Sequence, residues 1–148
     1  LDSLNIGGLT ADVGLAGAER TDLLALGSEA ARAMGLKVAE ARPDLGGGYF
    51  RSDHFSFAKA GVPAFSIGGG SQFVKDPEGA KARAEAYRKQ RYHQVTDEFD
   101  PAWDFEAMAR QAQFTLNLGL KVADAPAMPA WKPGEAFARA REASGTAK

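Results

Sequence analysis

The residues best suited to catalysis in this sequence lie in one short stretch, 92–98 (YHQVTDE). Imidazole is the commonest metal ligand among side chains, and a nearby carboxylate can fix the tautomer that binds zinc. Asp97 follows His93 by four residues and is a candidate for that carboxylate. A surface loop in which His93 and Asp97 only hydrogen-bond to each other has the same pattern, and spacing alone favours this structural interpretation.

A second candidate group is the tripeptide Ser52-Asp53-His54, which has the residue types of a nucleophilic triad. The members of such triads meet in space from distant positions, because neighbours on an extended chain point to opposite faces. The tripeptide therefore favours a helix cap formed by Ser52 or Asp53, with His54 packed or lining a pocket.

Asp2 lies in the apolar opening segment Leu1–Ile6, which predicts a buried strand. A buried carboxylate is unfavourable unless it is paired, hydrogen-bonded or bound to a metal, and composition does not separate these possibilities. The runs Gly46–Gly48 and Gly68–Gly70 lack the spacing of a phosphate-binding loop and predict turns.

Short apolar strands alternate with helices along the chain. Strands are predicted over Leu1–Ile6, Asp12–Ala16, Leu36–Ala41 and Val62–Ile67. Helices are predicted from Thr21-Asp22, over Phe55–Ala60, over Gly79–Gln90 and after Asp100-Pro101. This alternation predicts an α/β layered fold with a mainly parallel sheet flanked by helices, and site loops beyond the carboxyl ends of its strands.

The longest helix is predicted to bury one apolar face, made of Phe105, Met108, Ala109, Ala112, Leu116 and Leu120. From residue 125 onward Pro, Ala and charged residues dominate. The sequence thus predicts a domain over 1–124 and a Pro/Ala-rich surface tail over 125–148.

Composition excludes several classes of function. The 148 residues are 45% hydrophobic and 25% charged, as in one globular domain. The net charge of −1 argues against a nucleic-acid partner, and no apolar run is long enough to span a membrane. With no cysteine and two histidines, a metal site made by this chain alone would depend on carboxylates.

Three blocks together, Leu1–Asn5, Tyr49–Ala64 and Arg91–Asp100, resemble the C-terminal half of the catalytic domain of the co-catalytic zinc aminopeptidase family. That family includes bacterial leucyl-type aminopeptidases, glutamate carboxypeptidase and, as a divergent branch, glutaminyl cyclase. The resemblance extends from Leu1 to about Gly134, and the block from Arg51 to Ala64 is its most specific part. It implies part of a three-layer, phosphorylase/hydrolase-like fold whose N-terminal half is missing here.

The resemblance also implies roles for single residues. Asp2 and His93 match ligands of the two zinc ions, and Tyr92 matches the tyrosine whose hydroxyl stabilises the oxyanion. Tyr92 favours a peptidase over a cyclase, in which tryptophan is usual at that position. Asp53 and His54 match an acidic–histidine pair that supports the site without binding metal. The substrate side-chain pocket would be lined by Phe65, Ile67, Gly68 and Gly69.

The family also needs a His-x-Asp ligand pair and a Glu-Glu pair, and neither occurs in this sequence. These residues lie upstream in the family, so we expect a fragment that is inactive alone, does not retain zinc and self-associates in place of its missing half.

The resemblance implies a zinc-dependent exopeptidase that removes N-terminal residues from peptides. The alternatives are a non-catalytic interaction domain like that of the transferrin receptor, a glutaminyl cyclase-like acyltransferase, or an unrelated α/β binding domain. Since family members are often exported, the resemblance favours a periplasmic or secreted location.

Overall fold

The computed structural model describes residues 4–41 and 44–143. Asp2 and the first half of the predicted strand Leu1–Ile6 lie outside the described residues. Over residues 4–6 the strand prediction is wrong, because the Asn5 side chain folds the backbone into a turn. Its amide nitrogen donates to the carbonyl oxygen of Gly8 at 2.8 Å, and its amide oxygen accepts from the backbone N–H of Gly7 at 3.0 Å.

The fold is α/β, as predicted, and the described residues form a small sheet of three strands: β1 (Asp12–Ala16), β2 (Lys37–Val38) and β3 (Ser66–Gly69). Their order is β2-β1-β3, with β1 parallel to β2 and antiparallel to β3. The described sheet is therefore mixed rather than mainly parallel. The predicted strand over 36–41 keeps only two residues, and the β1 prediction matches the observed bounds.

The strand predicted over Val62–Ile67 is shifted toward the C-terminus. Pro63 precedes the observed strand, which begins at Ser66 and continues through two glycines that were predicted to end it. Proline lacks the N–H that a sheet ladder needs, whereas pairing with β1 fixes the glycine backbone in an extended form.

The described residues form five α-helices. They are α1 (Leu23–Ala33), α2 (His54–Lys59), α3 (Pro77–Gln90), α4 (Phe105–Ala123) and α5 (Ala138–Ala143). Helix α1 packs against the sheet. Helices α1 and α4 pack against each other, and the main core combines their side chains with those of β1. Its buried residues include Val13, Leu15, Ala30, Phe114 and Leu118.

Helix α4 begins four residues later than Asp100-Pro101 predicted. The Asp100 side chain accepts from the N–H of Ala102 at 2.9 Å and holds a turn instead. Asp104 provides the cap, since its carboxylate accepts from the N–H of Ala107 at 3.0 Å.

The buried face of α4 is the opposite of the predicted one. Its buried residues are Ala107, Gln111, Phe114 and Leu118, whereas Phe105, Leu116 and Leu120 are about half exposed. The prediction is wrong because the inner face contains the polar residue Gln111, which the pattern places on the outside. Gln111 is buried because its side-chain oxygen accepts from the N–H of Asn5 at 2.7 Å. An outer stripe of apolar residues is left on α4: Phe105, Ala109, Ala112, Leu116 and Leu120.

We predict that this outer stripe drives self-association of the 148-residue chain. Full burial of a leucine contributes about 1.5–3 kcal/mol, so replacing Leu116 and Leu120 together by Glu is expected to give a monomer. Light scattering across a dilution series measures the change. Lys81→Glu, at an exposed position on α3, makes the same change in net charge and should leave association unchanged. A wild-type chain that is monomeric at every concentration would contradict the prediction.

The segment after α4 is packed against the domain as far as the structure describes it. Trp131 is 8% exposed and joins a second core cluster with Tyr49 and Ala58. Its indole N–H donates to the carbonyl oxygen of Gly61 at 2.9 Å. Glu135 forms an ion pair with Arg20 at 2.7 Å. Composition predicted a surface tail over 125–148, and these contacts hold Trp131 and Glu135, within the described residues 125–143, against the domain.

None of the helices in the described ranges, 4–41 and 44–143, combines the length and the apolar character needed to cross a membrane.

Candidate functional site

Tyr92 and His93 lie immediately beyond α3, at the start of a loop over residues 91–100. Both side chains are exposed, and their rings stack with centroids 3.9 Å apart. His93 has a φ of 61°, in the left-handed region that residues other than glycine seldom adopt. The structure therefore presents an imidazole and a phenol together on the surface, on a backbone held in an uncommon conformation.

The carboxylate predicted to support His93 has a different partner. Asp97 accepts a hydrogen bond from the Tyr87 hydroxyl at 2.8 Å, which ties the loop to the last turns of α3. Partial burial and then this bond to Asp97 raise the pKa of the Tyr87 hydroxyl. A role for Asp97 beside His93 stays a prediction.

The far end of the loop is fixed by Asp100. The backbone N–H of Ala102, and after it the guanidinium of Arg91, hold the pKa of the Asp100 carboxyl below its usual value. The carboxylate is thus the charged partner of Arg91, at 2.8 Å.

A groove of about 470 Å³ runs beside this loop, between α3 and residues 100–104. Its lining combines aromatic and apolar groups with charged ones, including Tyr87, Trp103, Ala84, Arg83 and Asp104. The aromatic ring of Tyr87 lies 6.3 Å from that of Tyr92, so the groove adjoins the Tyr-His pair. Sequence reasoning missed this groove, because its residues come from a polar helix and from a turn that was assigned to α4.

Asp53 and His54 lie at the start of α2, where Asp53 is exposed and His54 is partly buried beside the second core cluster. The ring of His54 packs edge-on against Tyr49 with centroids 4.6 Å apart. Burial lowers the pKa of His54, and its Nε2 atom is buried without a hydrogen-bond partner in the structure. His54 therefore packs near a helix start, whereas Asp53, at the N-cap position, makes no side-chain cap hydrogen bond. The supporting role of this pair toward a metal site stays a prediction.

The residues predicted to line a substrate pocket are placed on and beside β3. Phe65 and Ile67 pack against the main core. Gly68 and Gly69 border a cavity of about 20 Å³, which holds about one water molecule and no amino-acid side chain. Their role in substrate binding stays a prediction.

A buried carboxylate that sequence reasoning did not single out is Asp12, which is 2% exposed. It accepts from the backbone N–H of Ser71 at 2.9 Å and from that of Gln72 at 2.8 Å. These bonds join β1 to the turn after β3, so Asp12 is satisfied and has a structural role. The sequence signal for this buried carboxylate was the position of Asp12 in a predicted strand, directly before apolar residues.

Within the part of the chain that the structure describes, no three His, Asp or Glu side chains come together in a group that could hold a metal ion. His93 fits as a single ligand, since its ring is exposed and is stacked on Tyr92. Asp2, the other ligand implied by the resemblance, lies outside the described residues. The described residues therefore supply one suitable ligand and not a complete zinc site.

A family model described as peptidase family M28 matches residues 1–118. The match includes β1 to β3, the Tyr-His pair and most of α4. Neither the search of curated proteins nor the search of solved structures gave a match.

Proposed function

Because the chain belongs to peptidase family M28, a family of zinc-dependent peptidases, we propose that it is part of an exopeptidase that releases N-terminal residues from peptides. The observation that carries the proposal is the exposed Tyr92-His93 pair, stacked at 3.9 Å beyond α3 and inside the matched region. A phenol and an imidazole kept side by side at a surface are suited to chemistry, and neither contributes to the core.

In this proposal His93 holds one zinc ion through a ring nitrogen, and Asp2 contributes a carboxylate oxygen. Bound zinc would polarise the scissile carbonyl and lower the pKa of a water molecule. The Tyr92 hydroxyl then donates a hydrogen bond to the carbonyl oxygen as negative charge develops there. The groove beside Tyr87 and Trp103 offers an aromatic wall next to this pair for part of the peptide.

The remaining ligands and the general base are proposed to come from chain preceding Leu1. Two zinc ions need several anionic ligands and a base that takes a proton from water, and Asp2 with His93 is too few. The outer stripe of α4 supports this arrangement, since it offers an apolar surface for further chain to cover.

The proposal is tested on the protein expressed from the complete reading frame that contains this chain. We expect hydrolysis of peptides with a free N-terminus, no hydrolysis of N-acetylated peptides, and loss of activity on chelation that zinc restores. His93→Ala is expected to lower zinc affinity and activity by more than the roughly 10–100-fold typical of removing a residue that only supports a ligand.

Gln94→Ala is the matched control, because Gln94 is the next exposed residue and its hydrogen bonds with Arg91 and Asp97 use its backbone N–H and carbonyl oxygen. Release of ammonia from N-terminal glutaminyl peptides, without hydrolysis, would instead identify a cyclase. A protein that binds no zinc and hydrolyses no peptide would contradict the proposal and favour an interaction domain.

A further inference from the structure

Arg91 occupies the base of the loop that carries Tyr92 and His93. Each of its three guanidinium nitrogens donates to a different acceptor farther along that loop. Nε donates to the carbonyl oxygen of Thr96 at 3.1 Å, and Nη2 donates to that of Glu98 at 2.6 Å. Nη1 donates to the carboxylate of Asp100 at 2.8 Å. The loop is therefore closed on its own first residue.

This closure accounts for a feature that the loop sequence does not explain. A non-glycine residue in the left-handed region persists only where its surroundings over-determine it. His93, with a φ of 61°, lies between Arg91 and the three acceptors, so the closed loop fixes both ends of the segment that contains it. The Thr96 hydroxyl adds a bond from within the loop to the carbonyl oxygen of Gln90 at 2.8 Å.

We propose that Arg91 is a positioning residue that holds Tyr92 and His93 in the orientation in which they act. This proposal rests on the proposed function, because the orientation of the two rings matters only if they bind zinc and substrate. Arg91 reaches neither ring and acts through the loop backbone. Lysine has one nitrogen at the end of its side chain and does not bond three acceptors spread over residues 96–100, so the fork of arginine is the property required.

The test uses the 148-residue chain with isotope-labelled histidine, which gives two sets of NMR signals because the chain has two histidines. The one-bond Cα–Hα coupling of His93 reports the sign of φ, and its ring protons report stacking on Tyr92. In Arg91→Met and in Arg91→Lys we expect the coupling of His93 to move toward the value of residues with negative φ. We also expect a smaller ring-current shift of the His93 ring protons. The His54 signals, which arise from a ring packed against Tyr49, should stay unchanged.

Arg88→Met is the matched control, since Arg88 is an exposed arginine one turn earlier on α3. Unchanged His93 signals in Arg91→Met would overturn the proposal. Loss of both histidine signal sets in both Arg91 variants would also overturn it, because Arg91 would then be a general stability residue.

In the complete peptidase, Arg91→Lys is expected to lower kcat by about 10–100-fold, the range seen when a group that orients a ligand is removed. A relaxed loop with unchanged kcat would overturn the proposal as well. The NMR measurement needs neither zinc nor turnover, so it distinguishes failure of this inference from failure of the proposed function.

Discussion

Replacing Tyr92 by Phe in the complete peptidase is expected to lower kcat by about 10²–10³-fold while KM changes little. The substitution keeps the ring that stacks on His93 and removes only the hydroxyl. A hydrogen bond to the developing oxyanion is made mainly in the transition state, so its loss affects kcat more than substrate binding. Steady-state kinetics on one peptide substrate, with bound zinc measured in parallel, gives both constants.

Tyr49→Phe provides the comparison, because the Tyr49 hydroxyl donates to the carbonyl oxygen of Ala64 at 3.0 Å inside the second core cluster. That variant should lose about 1 kcal/mol of stability and keep kcat within a few-fold of the parent. If Tyr92→Phe also keeps kcat within a few-fold, Tyr92 only packs against its neighbours and the oxyanion assignment is wrong.

Replacing Trp131 by Ala is expected to lower the free energy of unfolding by about 3–5 kcal/mol, the usual range for a buried tryptophan. The indole fills the second core cluster beside Tyr49, and its N–H satisfies the carbonyl oxygen of Gly61. Urea denaturation followed by far-UV circular dichroism measures the change. A loss of this size in a domain with about 5–15 kcal/mol in total would be severe.

Trp131→Phe separates packing from hydrogen bonding. It keeps an aromatic ring and leaves the Gly61 carbonyl without its donor, so a loss of about 1–3 kcal/mol is expected. A loss under about 0.5 kcal/mol for Trp131→Ala, the usual range for a surface substitution, would favour the surface tail that composition predicted over residues 125–148.

The parts of the fold that depend on local sequence were predictable. The bounds of β1 and the start of α1 follow from short-range patterns, and both match the structure. The buried face of α4 was not predictable. The helix is apolar on two sides, and only tertiary contacts decide which side packs against the core. The direction of β3 and the packing of Trp131 likewise depend on contacts between residues far apart in sequence.

The candidate site likewise has parts that the sequence predicted and parts that it did not. The Tyr92-His93 pair was visible because its residue types are suited to chemistry. The three bonds of Arg91 to the loop were not visible, since an arginine at the end of a helix more often interacts with the helix dipole or with solvent. The adjoining groove depends on how α3 lies against the turn at Trp103, which no local pattern encodes.

The backbone of His93 has a consequence for how stability and function are balanced at this position. A φ of 61° is a conformation that glycine adopts without strain and that histidine adopts at the expense of stability. If the fold alone determined the residue there, glycine or asparagine would be the better choice. If His93 binds zinc as proposed, the site keeps its ligand at a position where glycine would make the fold more stable.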